Sequence, residues 1–236
     1  LEGLSALWIQ RFDREEKGND MNVKRFMMIA GGAALLTTTV AQADFLGLSA
    51  DIVGTDLADD GTWTARIYAD LSAGSRLDAI YGNADNPLLM GTSSSLYQNT
   101  FGGDTSASIN PALYAAFDSL RYDSWVTIGL EDQGSNALAS IGINFGADSI
   151  SSSDGSWYIT PDDAQGQEIG GRVLIAQFTS YGYDSVLSGS ISMQGKNADG
   201  SNWSAESVSY EFALPAPGAL ALLGLAGFAG RRRRRA

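Results

Sequence analysis

The sequence predicts an all-β protein, a two-sheet β-sandwich or jelly-roll-like domain over residues 44–214 with one short helix at about 111–119. Three observations carry that expectation. Short apolar-alternating runs recur between Asp44 and Leu214, separated by breaks rich in Ser, Asp, Asn and Gly. Their alternation has period two, the pattern of a strand with one buried and one wet face. Many short strands of this kind in succession pack as two sheets around a shared core.

Taken in order, the first candidate strand is 47–53. In the next, Trp63, Ala65, Ile67, Ala69 and Leu71 share one face while Thr64, Arg66 and Asp70 face away. Further candidates are 76–81, 124–130, 137–144, 156–160 and 172–179. Leu187, Gly189, Ile191 and Met193 alternate with Ser188, Ser190, Ser192 and Gln194. Val208, Tyr210 and Phe212 alternate with Ser207, Ser209 and Glu211. The helix is expected where Asn110 offers an N-cap and Pro111 a first helical residue. Leu113, Ala116, Phe117 and Leu120 then fall at i, i+3, i+4 and i+7, one apolar face.

Composition narrows the chemistry. The chain has 236 residues with no His and no Cys. That excludes Ser-His-Asp and Cys-His catalysis, thiolate or imidazole zinc sites and a disulfide framework. Charge is uneven: 15 Lys and Arg stand against 27 Asp and Glu. Ten of the basic residues lie near the ends, which leaves residues 44–217 with 22 acids, five bases and a net charge of −17. A polyanionic body repels nucleic acid phosphates and anionic lipid, so no nucleic acid partner is expected.

The ends read differently from the middle. Met21-Asn-Val-Lys24-Arg25 is a positive n-region, Phe26 to Val40 an apolar run, and Ala41-Gln42-Ala43 places small residues at −3 and −1 before Asp44. These three parts in order make residues 21–43 a secretory signal peptide, with cleavage between Ala43 and Asp44. Residues 1–20 are read as untranslated leader carried in the reading frame, because Glu15-Glu16-Lys17-Gly18 back-translates to a purine-only stretch resembling a ribosome-binding site.

At the other end, residues 215–236 hold Pro215-Ala216-Pro217, an apolar run from Gly218 to Gly230, and the cluster Arg231, Arg232, Arg233, Arg234 and Arg235. An apolar run backed by positive charge has the form of a stop-transfer segment, with Arg retained on the cytoplasmic side. Thirteen residues, Gly218 to Gly230, give only about 20 Å of helix against a hydrocarbon core of about 30 Å. A transient membrane association through a transmembrane helix therefore fits better than a permanent anchor.

This tail resembles the PEP-CTERM sorting signal of bacterial exported proteins: a Pro-Glu-Pro-like motif, a short apolar helix and an Arg cluster. Pro215 and Pro217 match the prolines, while Ala216 stands where Glu is usual. The resemblance implies recognition by an exosortase in the inner membrane, passage through the secretion machinery, removal of the tail, and delivery to the cell surface or an extracellular polysaccharide matrix.

Three stretches share a local grammar: Asp60-Gly61-Thr62-Trp63, Asp154-Gly155-Ser156-Trp157 and Asp199-Gly200-Ser201-Asn202-Trp203. Asp-Gly supplies the positive φ of tight hairpins, so each reads as a turn whose Trp closes the core. The functional alternative makes Trp63, Trp157 and Trp203 rim platforms that stack on sugar rings. Asp56, Asp59 and Asp60 sit in one acidic turn and Pro161-Asp162-Asp163 in another. Ca²⁺ is the cation such loops could hold, but neither has the spacing of a helix-loop-helix calcium site, and solvated surface is the plainer expectation. Glu131, Glu168, Glu206 and Glu211 are the Glu residues of the body, and nothing in their spacing picks a glycosidase pair.

The expected function is therefore a non-enzymatic exported protein with a structural or adhesive role and no cofactor. A carbohydrate-binding module is the alternative, and a carboxylate glycoside hydrolase a more distant one. The charge yields a test. Monovalent salt should raise the melting temperature by screening self-repulsion over separations comparable with a Debye length of about 10 Å at 0.1 M. Ca²⁺ and Mg²⁺ at equal ionic strength should act equally; a selective rise at millimolar Ca²⁺ would instead reveal a native-state calcium site.

Overall fold

The computed structural model describes residues 45–215. In chain order the strands are β1 (Phe45–Thr55), β2 (Thr62–Leu71), β3 (Arg76–Gly82), β4 (Leu88–Thr92), β5 (Trp125–Val126), β6 (Ala139–Ile141), β7 (Asn144–Phe145), β8 (Ser149–Ser152), β9 (Gly155–Tyr158), β10 (Arg172–Tyr181), β11 (Val186–Lys196) and β12 (Asn202–Ala213). Among the described residues the only helical pieces are 3₁₀ turns of three to five residues. The fold is all-β and sandwich-like, built from two antiparallel sheets.

The smaller sheet has the order β1-β2-β10-β5. The larger one is organised by β11. Along one edge β11 pairs with β12 over its whole length; along the other it pairs first with β4 and then with β3. β3 and β4 therefore lie end to end, and β9 and β8 continue them as the next column. β6 and β7 form the outermost column. Seen this way the larger sheet has five columns, three of them broken in the middle.

The break between β8 and β9 falls at Asp154-Gly155, one of the Asp-Gly pairs read as a hairpin turn. It is instead a kink within a column. A Cβ on Gly155 would lie 2.4 Å from the Gly142 carbonyl oxygen, so the close approach of β9 to its neighbour requires glycine. The other two pairs are hairpin loops, with φ of +76° at Gly61 and +84° at Gly200.

Strand phases follow the alternation. On β2, Trp63, Ala65, Ile67, Ala69 and Leu71 are buried and face the larger sheet. Ile191 and Tyr210 are buried as well, while Ser190 is half-buried and Ser209 exposed. β12 changes phase midway. Trp203 and Ala205 point inward at odd positions, Val208 and Tyr210 at even ones. The extra residue is a bulge at Ser207, whose φ is +52° and whose N–H donates to Ser192 Oγ at 3.1 Å.

Residues 111–119 do not form the expected helix. They give a 3₁₀ turn at Pro111–Leu113, and a second follows at Asp118–Tyr122. Asn110 still caps, its side chain accepting from the Ala112 N–H at 3.0 Å. The apolar positions part company: Leu113 and Leu120 pack with Ile109, Trp125 and Leu174 on the outer face of the smaller sheet. Phe117 stacks instead on Phe101, with ring centroids 4.0 Å apart. One straight helix cannot serve two surfaces, and φ −135° at Phe117 marks where the chain turns from one to the other.

Between the sheets lies the main core, closed by buried hydroxyls as well as by apolar side chains. Trp63 Nε1 donates to Ser185 Oγ at 2.7 Å, and Ser180 Oγ lies 2.8 Å from Ser185 Oγ. Ile191, 1% exposed, sits in the middle of β11. Ile191→Asp should destabilise the protein by several kcal/mol, on the order of 4, because it places an unpaired charge in the core. Urea denaturation checks this, and an unchanged midpoint would mean that the inward phase of β11 is wrong.

Candidate functional site

The structure puts the Asp-Gly-associated tryptophans inside. Trp63 and Trp157 are fully buried and Trp203 is 8% exposed. Each indole N–H is satisfied internally: Trp63 by Ser185, Trp157 by the Thr127 carbonyl at 3.1 Å, Trp203 by the Arg76 carbonyl at 3.0 Å. None of the three offers a ring face to a sugar, so the Asp-Gly-x-Trp spacing is explained by turns, a kink and core packing.

The acidic turn is engaged in its own geometry. Asp56 Oδ1 accepts from the Gly61 N–H at 2.8 Å and from the Tyr183 hydroxyl. The Tyr183 hydroxyl first, and the Gly61 amide second, hold Asp56 below the usual carboxylate range. Asp59 accepts from the Asp60 N–H and from the Tyr181 hydroxyl at 3.1 Å. Among the described residues no three or more acidic side chains converge as metal ligands. Pro215 is exposed at the end of the described segment. Ala41, Ala43, Asp44, Pro217 and Arg231–Arg235 lie outside the described residues. Within those residues no helix is long and apolar enough to cross a membrane.

The scarce cations mark where to look. Arg66 donates two bonds to Glu131, at 2.7 and 2.6 Å. Arg172 pairs with Asp51 at 2.6 Å and lies 3.9 Å above the Tyr68 ring. Arg121 pairs with Asp118 at 2.9 Å and lies 4.3 Å above Tyr114. Arg76 is gripped from two sides, by Asp78 at 2.8 Å and Asp162 at 2.5 Å. Lys196 alone has no carboxylate partner among the described residues. Its Nζ donates to Asn202 Oδ1 at 3.0 Å, with the Gly200 carbonyl at 3.4 Å.

Lys196 and Arg76 are brought together by strand register. The last residue of β11 pairs with the first of β3, Lys196 opposite Arg76. Two depressions open around them. One, of about 360 Å³, is lined by Arg76, Asp162, Gln167, Lys196 and Asn197 beside Gly74, Ala198 and Gly200. The other, of about 400 Å³, is lined by Asp78, Pro161, Gln194, Lys196, Asn202 and Trp203. Lys196 belongs to both walls. The result is a polar basin with cationic donors, carboxylate acceptors and amides that can do either. Its two carboxylates face the Arg76 guanidinium as counter-ions, and the lining holds no nucleophile activated by a base.

A buried carboxyl lies elsewhere, at Asp123. It is fully buried and accepts from the N–H groups of Asn99 at 2.7 Å and Gly103 at 3.1 Å, tying the 99–103 segment to the chain before β5. Burial pushes its carboxyl up to about 6, against the amides of Asn99, Gly103 and Ser124 that pull it down. With its acceptors taken by backbone, Asp123 is a structural tie.

Comparison with protein-family models, curated proteins and solved structures finds no match to this chain. Sequence reading missed the basin because Arg76 and Lys196 lie 120 positions apart. The signal available was scarcity: with five bases in the body, the one lysine is informative by itself.

The Asp123 environment predicts a pH dependence. The ordinary value is 3.8 and the folded value about 6, so the fold binds this proton more tightly than the unfolded chain does. Stability from Asp123 is complete below about 4 and is lost as pH rises through about 6, a change on the order of 3 kcal/mol. Asp123→Asn should remove that part of the slope between pH 4 and 7, measured by urea titration against the wild type. An identical slope in both proteins would show that Asp123 titrates normally.

Proposed function

We propose that this chain is an exported, non-enzymatic β-sandwich protein of the cell surface or extracellular matrix, with a structural or adhesive role. One observation supports this reading above others: the folded segment fits between the two targeting signals. β1 begins at Phe45, two residues past the expected cleavage site after Ala43, and β12 ends at Ala213, just ahead of Pro215. Removing residues 21–43 and 215–236 would thus leave every strand intact. In this reading the partners are the secretion machinery and an exosortase-type enzyme, met during a transient stay at the inner membrane. The body's charge of −17 then keeps the released domain soluble and apart from anionic surfaces.

Mass spectrometry of the native protein from cell-surface and medium fractions tests the reading. The expected material begins at Asp44, contains no peptide from residues 1–20 and lacks Arg231–Arg235. Surface protein carrying the intact Arg cluster would overturn the sorting proposal, and peptides from residues 1–20 would overturn the leader assignment.

A further inference from the structure

We infer that the basin around Arg76 and Lys196 is a binding site for a neutral, hydroxyl-rich chain, a polysaccharide without acidic groups. The inference depends on the surface reading above only for where such a chain is met; the site itself is argued from its chemistry.

Four features point to that ligand. The lining is mostly polar, with Ala198, Pro161 and Trp203 as its apolar part, so hydroxyls find donors and acceptors close together beside a limited apolar floor. The amides of Gln167, Asn197 and Asn202 together with Arg76, Lys196 and Asp162 can each bond a hydroxyl, which donates and accepts at once. Two groups in the wall are unsatisfied: Arg76 Nη2, a donor, and Asn197 Oδ1, an acceptor, are buried without partners. Both atoms are out of solvent contact, so a small side-chain shift must turn them toward the basin before a ligand hydroxyl can satisfy either. Lys196, whose partners among the described residues are neutral oxygens, keeps donor capacity in reserve.

Charge selects among hydroxylated polymers. Asp78 and Asp162 already neutralise Arg76, Asp199 lies in the adjoining hairpin loop, and the body carries −17. An acidic polysaccharide would meet repulsion on approach, and a neutral one would not.

Position supports the same assignment. β11 runs from Val186, which pairs with Ala213, to Lys196, which pairs with Asn202. The chain therefore leaves the fold toward its tail at one end of β11, and the basin opens at the other, about 30 Å away by strand rise. A processed domain attached to a surface at the end of β12 would present this basin outward.

Affinity electrophoresis of the full chain, in a detergent without a sugar headgroup, tests the inference. Gels would contain laminarin, dextran, galactomannan or xyloglucan, with alginate and polygalacturonate as acidic counterparts. At least one neutral polymer should retard the protein, and the acidic ones should not. Lys196→Ala and Asn202→Ala should each weaken that retardation roughly tenfold at unchanged melting temperature. Tyr183→Ala, at the opposite end, should leave it unchanged. No retardation by any neutral polymer, equal retardation of both basin variants and wild type, or stronger retardation by alginate would each overturn the proposal. Failure here would leave the processing pattern untouched, so it is separable from failure of the surface reading.

Discussion

Enclosing three indole rings in one small sandwich sets a condition that the rest of the structure meets. A buried Trp removes on the order of 200 Å² from water, worth about 5 kcal/mol, but its N–H must find an acceptor inside. Here the acceptors come from distant chain segments. Ser185 serves Trp63, the Thr127 carbonyl serves Trp157, and the Arg76 carbonyl serves Trp203. Each bond fixes a relation between elements that backbone pairing alone leaves loose. The Trp157 bond crosses from the larger sheet to the segment that continues β5 of the smaller one. The Trp203 bond fixes the start of β12 against β3, and Phe45 of β1 then stacks on the same indole at 6.0 Å. Edges of the two sheets are thereby joined at one end of the sandwich.

The same end carries the polar basin, and the proximity has a physical basis. Trp203 packs in the core and also lines the second depression. Arg76 contributes its carbonyl to the indole and its guanidinium to the basin, where Asp78 and Asp162 hold it. A side chain so constrained would lose little entropy on meeting a ligand of the kind proposed.

How far the sequence foretold this depended on whether a strand had water on one side. β2 and β11 alternate plainly in their apolar residues, so the inward phase was legible, although Thr64 and Ser192 on the opposite faces are buried too, bonded to Thr179 and Ser207. β4 and β8 were not. Leu88-Leu89-Met90 shows no alternation, since Leu89 is an exposed apolar residue, and Ser149–Ser152 offers Ile150 as its one apolar side chain. Those strands exist because β11 presents an open edge to β4 and β4 presents one to β8, information held in pairing rather than in either segment. The helix expected at 111–119 failed for a related reason: the spacing was right, but its apolar residues answer to two different neighbours. Of the candidate site, the tryptophans and the acidic turn were visible as motifs; the tryptophan rings lie in the core, and Asp56 and Asp59 bond to Tyr183 and Tyr181. The basin is made by register between strands far apart in sequence, which no local pattern encodes.

The span of the closing contacts bears on when the domain can become compact. Trp63 reaches its acceptor 122 residues later, and Trp203 reaches back 127 residues to Arg76. β1 and β2 can pair as soon as both exist, but β2 waits for β10, and β3 waits for β11. Loop-closure entropy must be met before such contacts stabilise anything, so folding of this topology is slow and late. On the proposed export route that lateness would be useful: the segments emerging first would stay pliable until β12 had followed them, and the sandwich would shut on the far side.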